Sequence, residues 1–131
     1  MALEIVAPII MGVVAGIIDI GFMVKDLSGD AKSTIGHGVG AMTYLIAFSF
    51  IAFNIELATN SGYLPKFFQN QIAVLIILAL ITAAVVHAKS AVFAKSRGPG
   101  THETWLHSII LGVLVAASPF IWPLIEGYLP F

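Results

Sequence analysis

Four stretches of this chain, residues 5–24, 38–55, 71–88 and 104–125, hold a single Asp, Glu, Lys or Arg between them, Asp19. A helix needs about 20 predominantly apolar residues to cross the hydrocarbon core of a bilayer, and each stretch comes close to that length. Backbone amides must be paired within the segment in such a medium, so runs of this kind are helices. Their Leu, Ile and Ala content without strict alternation agrees. The expected fold is an all-α integral membrane protein. It has four transmembrane helices, at about 5–24, 36–56, 71–89 and 104–125, arranged as two hairpins in one compact four-helix bundle spanning 1–131.

Composition removes the main alternatives. Charged residues make up 10% of the 131 and apolar ones 59%, with a mean hydropathy of +1.00. A soluble domain carries roughly 25% charged residues, so this chain cannot cover a water-facing surface. Six Lys and Arg against seven Asp and Glu leave no basic footprint for nucleic acid. With no cysteine, disulfides, iron–sulfur clusters and thiolate zinc sites are excluded. The amino terminus lacks a basic leader region and a small-residue cleavage site, so it reads as a retained first span.

The connectors orient the chain. Residues 25–36 carry Lys25 and Lys32, and residues 89–103 carry Lys89, Lys95 and Arg97, whereas residues 58–70 carry only Lys66. The positive-inside rule then places both termini outside and the two basic loops in the cytoplasm. Trp105 and Trp122, near the ends of the fourth span, suit interfacial anchoring. Absence of an Asn-x-Ser/Thr acceptor and of a transit-like leader favours a prokaryotic plasma membrane.

This topology gathers the polar groups at one side. Asp19 lies near the cytoplasmic end of span one, His37 opens span two, His87 ends span three, and His102 and His107 begin span four. Asp19 shares a helix face with Gly12 and Gly16, spaced as GxxxG, a pattern that lets helices approach closely. His37 lies with Gly40 and Ala41, and His87 with Ala83 and Ala84. Glu103 and His107 are four apart and so are neighbours on one face. His102 points elsewhere and belongs to the loop. The two hairpins share this outline, as a duplicated hairpin would, and as would any four-span protein with basic loops. The candidate constellation is Asp19, His37, His87 and His107, with Glu103 and Tyr44 nearby.

Ionisable groups are costly in a membrane, about 2.5–3.5 kcal/mol at mid-depth on insertion scales, and each is a candidate for function. Three chemistries compete for this set. Asp19, His37, His87, Glu103 and His107 would suit a transition metal, although HETWLH lacks the spacing of a zinc motif. A pair from His37, His87 and His107 would suit haem b. A carboxylate with imidazoles would also relay protons. Structural roles compete with all three: a histidine near the interface reaches water cheaply, and Asp19 can bond to a neighbouring helix. Pro119 and Pro123 are expected to kink or loosen the last span.

The leading functional expectation is a small, non-catalytic accessory or structural subunit of a larger membrane complex. Its partners would be the lipid bilayer and other membrane subunits or further copies of itself, and no nucleic acid. A haem b- or metal-binding subunit of a membrane oxidoreductase is the first alternative. An oligomeric transporter or channel centred on Asp19 is the second. An intramembrane enzyme is the weakest, because no nucleophile–base pair can be placed.

Overall fold

A computed structural model describes residues 3–26, 31–95 and 104–129; at 25, 26, 31–35, 37 and 93–95 it describes the backbone alone. The described residues are almost all helical and contain no strand. Four long helices, α1 (Val6–Asp26), α2 (Ala31–Phe53), α4 (Gln71–Lys95) and α5 (Trp105–Ile125), are joined on one side by the short α3 (Ile55–Thr59). A 3-10 turn at Lys66–Gln69 precedes α4, and another at Glu126–Tyr128 follows α5.

Three segments, Val6–Val24, Gln71–Val92 and Trp105–Tyr128, are long and apolar enough to cross a membrane. The corresponding stretch described in α2, Gly38–Phe53, is shorter.

Local chemistry explains most helix ends. Pro8 lies in the first turn of α1, where a missing N–H costs nothing. The Asn70 side chain accepts from the Ala73 N–H at 3.2 Å and opens α4. Thr104 does the same for α5, accepting from the His107 N–H at 3.5 Å. Pro119 and Pro123 lie inside α5, which runs on through both to Ile125. Pro119 cannot donate to the Val115 carbonyl, and the Ser118 hydroxyl donates to it instead at 2.6 Å.

Two helices differ from their sequence-based limits. α4 continues to Lys95 rather than stopping at 89, because no breaker occurs before Gly98-Pro99-Gly100. Lys89, assigned above to a connector, therefore lies on the helix. α2 begins at Ala31, before the expected limit of 36, and stops at Phe53, where Asn54 leaves helical geometry at φ -103° and ψ 15°. Asn54 Nδ2 donates to the Glu4 carbonyl at 2.9 Å, and Asn54 Oδ1 accepts from the Glu4 N–H at 2.8 Å. Nδ2 also donates to the Phe50 carbonyl at 2.9 Å. One amide thus ties the entry of α1 to the exit of α2. Asn54→Ala removes all three bonds and is expected to lower stability by about 1–3 kcal/mol, since water satisfies part of the loss. Unfolding midpoints in one detergent would check this, and an unchanged midpoint would show the clamp to be idle.

The helices pack closely where side chains are small. α1 lies along α2 and α4 along α5, and these are the two most extensive contacts; α5 also touches α1 and α2, and α2 touches α4. A Cβ at Gly16 would come within 2.7 Å of the Met42 Cγ, and one at Gly12 would strike the Ile46 backbone. The GxxxG spacing in α1 is therefore a seam against α2. Gly112 plays that part on α5, where a Cβ would meet the Ala79 carbonyl oxygen of α4.

The interior is layered. Ala15, Leu45, Val86, Leu111 and Val115 form a buried apolar cluster drawn from all four long helices. One turn away toward the end where α1 finishes and α5 starts lie Asp19, Ser90 and Ser108, all buried. One turn the other way lie Ser49, Thr82 and Ser118, also buried. Eight residues separate Thr82 from Ser90, about 12 Å along the axis at 1.5 Å per residue. A second apolar cluster, Ala52, Ile55, Leu75 and Leu78, fills the interior toward the Asn54 end.

Candidate functional site

The polar layer around Asp19 is built outward from the apolar cluster. Asp19 follows Ala15 by four residues on the inward face of α1, and its side chain is 0% exposed. Lys89 approaches from α4. Its Nζ lies 2.7 Å from the position a Gly40 Cβ would take, and 5.3 Å from the centre of the Tyr44 ring. Gly40 and Tyr44 are four apart on α2, so one face of that helix supplies both the gap and the π surface for the ammonium. The Asp19 carboxylate acts electrostatically on the same ammonium. A half-buried Lys89 thus brings positive charge toward the buried acid, and its stem crosses apolar surface as long cationic side chains do.

Both histidines whose side chains are described lie flat against aromatic rings of other helices. His107 of α5 stacks on Phe22 of α1, with centroids 4.3 Å apart and planes at 6°. His87 of α4 stacks on Trp105 of α5 at 3.8 Å and 18°. Aromatic pairs in this range are worth about 0.5–1.5 kcal/mol beyond the area they bury. The imidazoles therefore join α5 to α1 and α4 to α5. His87 Nδ1 is buried with no hydrogen-bond partner among the described residues, and the same holds for the hydroxyls of Ser49 and Ser108.

The sequence-derived set is thus placed in part. Asp19 is interior, and His87 and His107 are half-buried at the same end of the helices. His37 lies on α2 with its side chain outside the described residues, and His102 and Glu103 also lie outside them. Among the described residues, no three His, Asp or Glu side chains come together as metal ligands would.

Lys89 was the functional neighbour that sequence reasoning missed. Its signal was present: from His87 to Ser96 nothing breaks a helix, and a lysine there cannot be in a loop. Trp105, expected as an interfacial anchor, has its indole against the His87 imidazole. A concavity of about 240 Å³ lies elsewhere, between α4 and α5. It is open to the side and lined by apolar groups such as Ile76, Ala79, Ala117 and Phe120.

No protein-family model, no curated protein and no solved structure matches this chain.

Proposed function

We propose that this chain crosses the membrane four times, as two hairpins of a compact four-helix bundle, and acts as a non-catalytic accessory subunit of a larger membrane complex. The α1–α2 and α4–α5 contacts, with α5 meeting both α1 and α2, support the bundle. The membrane is a prokaryotic plasma membrane, with both termini outside and the basic connectors in the cytoplasm. With Lys89 set aside, Lys25, Lys32 and Lys95 at the ends of α1, α2 and α4, together with Arg97, remain on that side against Lys66 on the other, so the orientation keeps its sign.

The observation that carries the accessory reading is where the ionisable side chains end. Lys89 crosses between helices to the gap at Gly40 and the Tyr44 ring, within the electrostatic influence of Asp19, and His87 and His107 lie against the rings of Trp105 and Phe22. Groups used in this way hold helices together. The outer faces, by contrast, present large apolar side chains such as Ile17, Leu80, Val92, Val113 and Leu124, each more than half exposed. Such surfaces meet lipid or the helices of other subunits.

A second reading rests on the layering of the interior. A buried acid with hydroxyls, then an apolar layer, then further hydroxyls, is an arrangement in which a dry barrier separates two polar compartments. It favours an oligomeric transporter using Asp19.

Native mass spectrometry of the protein released in mild detergent from its own membrane separates the readings. The expected result is association with other polypeptides and no added cofactor mass, retained when His87 and His107 are both replaced by Gln. A haem- or metal-sized increment would overturn the accessory reading in favour of a cofactor carrier. A bare homo-oligomer would overturn it in favour of transport, to be followed by flux in liposomes with Asp19→Asn as the control.

A further inference from the structure

The connector between α3 and α4 presents aromatic side chains with nothing packed over them. Tyr63 is 93% exposed, Phe67 61% and Phe68 40%. The segment is nevertheless well formed. Pro65 leads into the 3-10 turn, the Phe68 N–H donates to the Pro65 carbonyl at 2.8 Å, and Gln69 Nε2 donates to the Leu64 carbonyl at 2.8 Å. Phe67 and Phe68 meet edge to face at 5.3 Å. A turn closed in this way holds its rings outward.

Its position decides what covers them. The turn ends at Gln69, two residues before α4 begins, and the outer surface of α4 is apolar from its first turn, at Ile72, Ile76 and Leu80. The exposed rings come a few residues before that apolar surface in the chain. At the same end of the helices Trp122 of α5 sits edge to face with Phe53 of α2 at 6.4 Å. Lys66 stands in the turn itself, beside Phe67. Aromatic rings with a cation next to the first turn of a membrane-crossing helix match the chemistry of the headgroup region, where rings sit between hydrocarbon and water and an ammonium meets phosphate.

We propose that the 63–69 segment lies in the lipid interface of the leaflet at the Asn54 end, as a shelf that sets the depth of α4. The partner is the bilayer itself. This rests on the reading that α4 crosses the membrane, and the test separates the two.

The chain has no cysteine, so single substitutions carry a nitroxide label without further change. Phe67→Cys, Tyr63→Cys and Leu80→Cys would each be labelled in the full chain in phosphatidylcholine liposomes, with helical circular dichroism confirming the fold. Collision rates with oxygen, which concentrates in hydrocarbon, and with a water-soluble nickel chelate give the depth of each label. The expected result is a label at Leu80 reached by oxygen and shielded from nickel. Labels at Phe67 and Tyr63 should fall in the interfacial zone, which extends about 5–8 Å beyond the hydrocarbon core.

Nickel access at Phe67 and Tyr63 equal to that of a free label in water, with Leu80 still shielded, would overturn the shelf alone. Nickel access at all three would overturn the membrane-crossing reading of α4. A label at Phe67 shielded from both reagents would show that protein, and not lipid, covers the turn, and would also overturn the proposal. Tyr63→Cys keeps the test decisive should Phe67→Cys fail to fold.

Discussion

Gly112→Val is expected to destabilise the protein by about 3 kcal/mol or more, the upper end for overpacking a closely fitted interior. The reason is the identity of the neighbour. A Cβ at Gly112 meets the carbonyl oxygen of Ala79 and lies 3.2 Å from the Ala83 Cβ. A flexible side chain could swing away, but a backbone carbonyl held in α4 moves only if the whole helix moves. α5 would be driven off α4 along the seam that also carries the His87–Trp105 stack. Gly21→Ala supplies the contrast. Gly21 also lies inside a helix, yet nothing stands within 4 Å of its Cβ position. Removing a glycine there should stabilise by up to about 1 kcal/mol through helix propensity. Unfolding midpoints of both variants in one detergent would check the pair. Equal effects would mean that α4 and α5 are not in backbone contact at Gly112.

Lys89→Met is expected to cost nearly as much, and the cost should disappear in company. Removing one partner of a buried charge pair typically costs about 3–5 kcal/mol, because the other charge stays buried. Lys89 is only half-buried, so the lower end of that range applies. Asp19→Asn alone should cost less, since a long lysine stem lets the freed ammonium reach toward the interface. In the double variant Asp19→Asn, Lys89→Met no unpaired charge remains, and most of the loss should be recovered. Gly40→Ala gives an independent check. The added methyl would lie 2.7 Å from the Lys89 Nζ and displace it without removing its charge. A fall in stability that depends on Asp19 being present is the expected outcome. Strictly additive costs in the double variant would show that Asp19 and Lys89 do not act on each other.

Much of the helical content was legible because it depends on short-range properties. The lengths of the apolar runs and the seam glycines at Gly12 and Gly16 can be read without knowing which helix lies opposite. The end of α4 was misplaced for a local reason too: Lys89 was weighed by its charge, although the chain around it contains nothing that stops a helix. Asn54 was passed over because an asparagine after an apolar run is ordinary at a span end. Its reach back to Glu4, fifty residues away, has no trace in the sequence around it.

The partners of the ionisable groups belong to a different level. Each residue along a helix turns by about 100°, so the face that His87 or His107 presents changes completely with a small rotation of the rod. Charge scarcity, apolar length and the side of the chain on which Asp19 and the histidines collect are determined by the residues alone, because each is a sum over neighbours in the chain. Only the tertiary structure decides that the Lys89 ammonium lies in the gap at Gly40 beside the Tyr44 ring, that His107 lies on Phe22, and that His87 lies on Trp105. Those pairings depend on how far each helix is rotated and shifted against its neighbours, and that is set by where backbones without side chains, at Gly12, Gly16 and Gly112, allow the helices to touch.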